Sequence, residues 1–487
     1  MEKNKNKQKY LDEQLSEYAN LDYYPFHMPG HKRNMIGLEN PYQIDITEIE
    51  GFDNLHHAES ILLQAQERLR FLYQSRSAYY LVNGSTCGLL SAIGALTCNG
   101  DRIIVARNCH KAVYNAVRIF GLKASYVYPE LLDGGIQGQI KPEDVENMFA
   151  EERQVSAIII TSPTYEGIVS NIRKIADIAH KNHAYLIIDE AHGAHFSLSS
   201  FFPESAVKCG ADIVVQSLHK TLPCLTQTAV LHVVSDYVDC RRIEEMLGIF
   251  QTSSPSYVLM AGIERCVKFL NQSGDQMFCK FQQKLDYFYE ESQRLKYLHV
   301  FQKSDYEKYG VYDFDQSKII ISTLGVNYNG TRLYKKLLNQ YHLQLEMYSA
   351  DYVLAMTSIM DTLEGFQRLL QALVEIDREL EDKSERSDFD IGYFVKRAYA
   401  EREKIMEVSD IQKSDIQKNL EETILKDCIG KVCAEYIYLY PPGIPMIVPG
   451  ERMTKEFIDV LDECKKNGLN VQGTRDRTYR KILTVAC

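Results

Sequence analysis

The sequence predicts an α/β fold built on a mostly parallel, buried sheet of roughly seven strands. Short apolar runs alternate with helix-period segments from about residue 78, and the runs are almost continuously apolar, as strands covered on both faces must be. Several runs also end on polar residues capable of chemistry, where open α/β sheets bind their ligands.

The predicted strands are AYYLV (78–82), RIIVA (102–106), ASYVY (124–128), SAIII (156–160), AYLIID (184–189), ADIVVQ (211–216) and TAVLHVV (228–234). Helices are predicted between them over Ser85 to Leu96, Lys111 to Phe120, Pro142 to Ala150 with proline in the first turn, and Arg173 to His183. A long charged helical run through about residue 296 connects to a smaller α/β C-terminal region. That region holds the strands SKIIIST and YVLAMTS, a helix near TRLYKKLLNQ and another at TLEGFQRLLQALVEIDRELED. Residues 383–420 read as a charged linker or exposed helical stretch, before AEYIYLYPPGIPMIVPGE and a final helical pattern from TKEFIDVLDECKKNG. The expected divisions are an N-terminal segment (1–35), a large domain with its connecting helix (36–296), a small α/β domain (297–385) and a C-terminal linker and domain (386–487).

With 66 acidic against 55 basic residues the net charge is −11, and no long basic block stands out, so nucleic acid is not an expected partner. The 12 cysteines are scattered without a C-x-x-C pair or zinc spacing, so neither a disulfide framework nor a metal is expected. The polar start lacks the apolar core of a signal peptide, and no apolar run approaches the roughly 20 residues that span a bilayer. A soluble cytoplasmic protein without a membrane partner is the expectation.

Three places could carry chemistry. At NGSTCG, Gly84, Ser85 and Thr86 stand where a strand stops and a helix starts, so backbone N–H groups and hydroxyls converge on an anion at the positive end of the helix dipole; an ordinary N-cap is the plainer reading. At DEAHGAHF, Asp189 ends a buried strand, where a carboxylate needs a cationic partner or a set of donors. His192 and His195 nearby could equally be packing residues. At SLHKTLP, Lys220 ends another buried strand, where desolvation lowers an ammonium pKa and frees a nucleophilic amine. A phosphate anchor, an anion for a pyridinium nitrogen and a lysine for an aldehyde, in that order, are what pyridoxal 5'-phosphate requires.

The wording of the motifs resembles the Orn/Lys/Arg decarboxylase class-I family of fold-type I pyridoxal-phosphate enzymes. FHMPGHKRN (26–34), NGSTCG, RNCHKAVYNA (107–116), SPTYEG (162–167), DEAHGAHF, SLHKTLPCLTQTA, QTSSPSYVLMA (251–261) and YPPGIPMIVPGE (440–451) match in order. The resemblance implies an aspartate-aminotransferase-like large domain and the release of CO2 from a basic amino acid, with a lean to arginine over lysine and ornithine. It implies that Lys220 bonds the cofactor aldehyde, Asp189 partners the ring nitrogen and His110 stacks on the ring. Ser85, Thr86 and Ser217 resemble phosphate ligands, His219 accompanies the lysine, and His192 falls near the ring or its 3-hydroxyl. QTSSPSY is similar to a dimer-interface segment, so a homodimer whose second subunit completes the site is implied. Larger members carry an N-terminal wing domain, whereas FHMPGHK comes early here, as in the shorter members.

Either His219 or Lys220 could return a proton to Cα. For the distal cation of the substrate the candidate is Glu451; its alternative role is an acidic residue placed before the following helix. An aminotransferase or C–S lyase would keep Lys220 and Asp189; an aminotransferase usually also holds the α-carboxylate with an arginine, for which Arg332, Arg368 and Arg452 are available by composition only.

Overall fold

All seven apolar runs form strands of one sheet: β1 (Ser77–Leu81), β2 (Arg102–Ala106), β3 (Lys123–Val127), β4 (Val155–Thr161), β5 (Tyr185–Asp189), β6 (Ile213–Gln216) and β7 (Ala229–Val233). This computed structural model describes residues 10–486 apart from 35, 38, 39, 350, 381–390, 440–442, 467 and 468. The strand order is β1-β7-β6-β5-β4-β2-β3, and β7 alone runs antiparallel to its neighbours β1 and β6. Every residue of β6 and β7 is buried, which is why their sequences show no in–out alternation.

Helices pack on both faces. Gly84–Leu96, Lys111–Phe120 and Ile172–Lys181 join Ile104, Ile159 and Val214 in one apolar cluster. The opposite side, with Tyr80 and Val230, packs on the helix Tyr257–Ser292 through Ile263 and Phe281. That second cluster continues into a four-stranded antiparallel sheet of His299–Val300, Lys318–Ser322, Tyr352–Met356 and Met347–Tyr348, and into helices Gly330–Tyr341 and Leu363–Leu380. The large sheet and the smaller one therefore share a continuous core. The divisions at residues 35, 296 and 385 remain our proposal, with that core bridging the first two.

The segment read as N-terminal is stitched across this junction. Tyr24–Phe26 pairs in parallel with Leu343–Leu345, and the Lys32 ammonium, almost wholly buried, donates to the carbonyls of Pro25 (3.0 Å), His27 (2.9 Å) and Met356 (2.7 Å). Burying an ammonium costs several kcal/mol unless its donors are satisfied, and three carbonyls offset that cost here.

The C-terminal region has its own cluster of Phe394, Met446, Ile447, Phe457 and Leu461, between helix Lys455–Lys466 and two three-stranded sheets. Residues 383–390 of the expected linker lie outside the described residues, as do Tyr440 to Pro442 of the YPPGIPMIVPGE motif. The region is tied to the large sheet by Arg107, just after β2, which donates to Pro445 O at 2.7 Å and to Glu451 at 3.2 Å. Glu451 has no exposed side-chain surface and also accepts the Val448 N–H at 2.9 Å. Because removing one partner of a buried pair strands the other charge, Glu451→Gln is expected to cost about 3 kcal/mol of unfolding free energy in a urea titration.

Candidate active site

The carboxyl ends of β5 and β6 are adjacent, with Asp189 in register with Val215. Ser217 starts a short turn, Leu218–Thr221, that carries His219 and Lys220. Lys220 keeps partial exposure, yet burial is the largest influence on it and lowers its pKa against the opposing pull of Asp189 and Glu346. Its Nζ lies 3.0 Å from His192 Nε2. Asp189 is 3 % exposed, and the one hydrogen bond its carboxylate accepts among the described residues is from the Ala191 N–H at 3.2 Å. Burial raises its pKa, and the Lys220 charge opposes that rise. A buried carboxylate with a single backbone donor is short of a cation.

The residues expected to bind an anion, after β1 and β6, come together across the sheet. Gly84 has φ +74°, a left-handed conformation that glycine adopts without strain, and opens helix Gly84–Leu96. Ser217 Oγ donates to Ser85 Oγ at 2.9 Å, so two hydroxyls stand together at that helix N-terminus. Thr86 is exposed one position further on. Gln251 accepts the Val82 N–H at 2.9 Å, and Thr252 N–H donates to Asn83 at 3.2 Å, so the QTSSPSY segment is fastened beside this turn.

His110 caps helix Lys111–Phe120 by accepting the Ala112 N–H at Nδ1 (3.2 Å). Burial, helped by the Lys220 charge, pushes its pKa down to about 4, so the imidazole is neutral near pH 7. His219, likewise pushed down to about 4 mainly by burial, places Nδ1 2.9 Å from Thr228 O. His192 is buried against the Tyr165 ring, with centroids 4.6 Å apart, and burial and neighbouring lysines hold its pKa well below the usual imidazole value. His195 belongs to packing: it is 2 % exposed and paired with Asp315 at 3.2 Å.

Sequence reasoning missed Lys318 and Glu346, and quoted Tyr165 only within a motif. Lys318 opens a wholly buried strand, is itself 1 % exposed, and places Nζ 3.2 Å from His192 Nδ1. A lysine leading the apolar run SKIIIST was the available signal. Glu346 accepts the Met28 N–H at 2.8 Å and the Tyr165 hydroxyl, and its charge acts on both Lys220 and Lys318. Nothing in LQLEMYS marks it.

Glu451, expected at the substrate, is instead committed to Arg107 and Val448 in the interior between regions, and this corrects its assignment. Both carboxylate oxygens face Arg107, and the side chain has no exposed surface by which a substrate cation could reach it. The arginines considered for an α-carboxylate are also engaged elsewhere: Arg332 lies over the Tyr328 ring, Arg368 pairs with Asp22 and Arg452 with Glu403.

Residues 10–315 match the family described as Orn/Lys/Arg decarboxylase, major domain, and residues 394–471 match its C-terminal domain. Among curated proteins, the chain is 29% identical to an arginine decarboxylase of Halalkalibacterium halodurans, covering 94% of each chain. It is 27% identical to an arginine decarboxylase of Bacillus subtilis, over 97% of this chain and 96% of that one. The lysine decarboxylase LdcF of Francisella novicida has the same fold, with a TM-score of 0.79 at 20% identity over 97% of this chain and 80% of that one.

The FHMPGHKRN motif seats the turn that carries Lys220. Gly30 N–H donates to His219 O at 2.7 Å, and a Cβ on Gly30 would come within 2.7 Å of Leu222 O and 2.8 Å of Leu222 N. Backbone cannot yield as a flexible side chain does, so Gly30→Ala should displace Lys220 and lower kcat/KM by on the order of 100-fold in steady-state kinetics.

Proposed function

Because this chain belongs to the Orn/Lys/Arg decarboxylase family, we propose that it removes the α-carboxylate of a basic amino acid as CO2 with the help of pyridoxal 5'-phosphate. Arginine is the favoured substrate and agmatine the product; lysine giving cadaverine and ornithine giving putrescine are the neighbouring possibilities within the family. The lean to arginine rests on relatives named arginine decarboxylase at 29% and 27% identity, against 23% for the constitutive lysine decarboxylase of Escherichia coli.

The observation that carries the cofactor reading is the pairing of a desolvated amine, Lys220, with a buried carboxylate, Asp189, that lacks a fixed cation. A protonated ring nitrogen would supply that cation and keep Asp189 ionised. Ser85, Ser217 and the N–H groups after Gly84 would take the phosphate, and Thr86 stands at the same helix end. His110 would lie along the ring and His192 beside its 3-oxygen. Bound there, the cofactor supplies the electron sink for the charge left at Cα when CO2 departs.

The protein's own contribution is orientation and proton control. A carbonyl oxygen only accepts, so Nδ1 of His219, facing Thr228 O at 2.9 Å, carries the ring's proton. With its pKa near 4, neutral His219 then has no proton on Nε2 to give. That favours Lys220, which would take up the proton of the substrate ammonium on its release, as the group that protonates Cα. For the distal cation we propose Glu346, whose carboxylate is held by Tyr165 and Met28 and acts on Lys220.

A homodimer in the cytoplasm completes this reading. Its support is the number of exposed apolar side chains in one stretch of chain, Tyr42, Ile49, Phe52, Ile61, Leu63 and Phe71, which a second subunit would cover. No helix among the described residues is long and apolar enough to cross a membrane.

Incubation with arginine, lysine and ornithine in turn should give CO2 and the matching amine in equal amounts, fastest with arginine; a keto acid without CO2 would overturn the reading. Glu346→Gln should raise KM for the preferred amino acid about 10-fold with a smaller change in kcat, the cost of losing one charge-assisted contact.

A further inference from the structure

We propose that Lys318 is a positioning residue for the reacting nitrogen of Lys220, acting through the imidazole of His192. The inference rests on the assignment of Lys220 made above. Lys318 Nζ lies 3.2 Å from His192 Nδ1, and His192 Nε2 lies 3.0 Å from Lys220 Nζ, so one imidazole is held between two amines. A neutral imidazole has one N–H and one lone pair, while an ammonium has donors only. The chain of contacts therefore has a direction: the lysine that receives the ring N–H must be an uncharged amine, and the lysine at the other end donates.

The surroundings decide which end keeps the charge. Lys318 is 1 % exposed and faces carboxylates on separate elements, Asp315 three residues before it and Glu346 on the neighbouring strand connection, with Glu166 further off and Lys32 opposing. Asp315 is held as an anion by His195 and Ser317. Lys220 faces Asp189 and Glu346 with His110 beside it, and Asp189 is the group a bound ring nitrogen would engage. The charged and titratable groups that act on His192 are Lys220, Lys318, His219 and His110, and its ring lies on that of Tyr165, so its surroundings disfavour a charge on it. Burial pulls the Lys318 pKa down to about 8, which leaves it mostly protonated at neutral pH. Lys318 thus donates to Nδ1, the ring carries its proton on Nε2, and that N–H points at the lone pair of Lys220. The cation two hydrogen bonds away disfavours protonation of the Lys220 nitrogen, whether free or bonded to the cofactor.

The test is a pH titration of the visible absorbance of the bound cofactor, which reports protonation of the nitrogen it shares with Lys220. Lys318→Gln and Lys318→Met should raise the titration midpoint by about one pH unit, while Lys318→Arg, which keeps the charge, should hold it near the wild-type value. Gln retains the stem length and polarity, so it reports if the Met variant fails to fold. In the unsubstituted enzyme, nitrogen NMR shifts of His192, assigned with His192→Asn, should identify the Nε2–H tautomer. An unmoved midpoint in both neutral variants, or an Nδ1–H tautomer, overturns the role of Lys318 alone. A wild-type enzyme with no visible band, or a band unaffected by Lys220→Ala, overturns the assignment of Lys220 and this inference with it.

Discussion

Desolvation of a single amine, Lys220 Nζ, is the constraint on which the rest of this site depends. The same low-polarity surroundings that lower its pKa raise that of Asp189 and lower those of His110, His192 and His219. One physical cause thereby yields an amine whose charge is disfavoured, a carboxylate in want of a cation and three neutral imidazoles. Such a set cannot lie on the surface, where water would return each group to its ordinary value. It requires the buried carboxyl ends of β5 and β6, two strands with no exposed residue among Ile187–Asp189 and Ile213–Gln216.

Two further buried cations hold the frame around that amine. Lys32 fastens the N-terminal strand to the end of strand Tyr352–Met356 through carbonyls, and Gly30, just before it, carries the turn of His219. Arg107 fastens the C-terminal region to the end of β2. Each meets acceptors from a separate stretch of chain, which turns the cost of burying a charge into a requirement for one arrangement of the segments. The motifs FHMPGHKRN and YPPGIPMIVPGE, distant from the lysine in sequence, are in this sense parts of its housing.

Much of this was legible in the sequence because buried parallel strands announce themselves as continuous apolar runs. The strands β1 to β7 and the helices after β1 and β2 fell where periodicity put them, and Lys220, Asp189 and the Ser85/Ser217 pair meet at one sheet edge as a strand-end reading requires. What was not legible depended on contacts between segments far apart in the chain. Glu451 looked like a loop carboxylate free for a substrate, because nothing local reveals that Arg107 lies against it. Lys318 drew no attention, because a lysine entering an apolar run is ordinarily solvated, and its burial beside nearby Asp315 is completed by Glu346 and His192 arriving from other parts of the chain. Glu346 has no local signature at all. Secondary structure follows local pattern, whereas charge pairing in the interior follows topology.

The central claim is that Lys220, of the several buried lysines, is the one that bonds the cofactor. Borohydride reduction of the holoenzyme, followed by proteolysis and mass spectrometry, addresses it without substitution. The account predicts a reduced pyridoxyl group on the peptide containing SLHKTLP and at Lys220 alone. Its appearance on Lys318 or Lys32, or no labelled peptide from a protein that carries the cofactor, would contradict it.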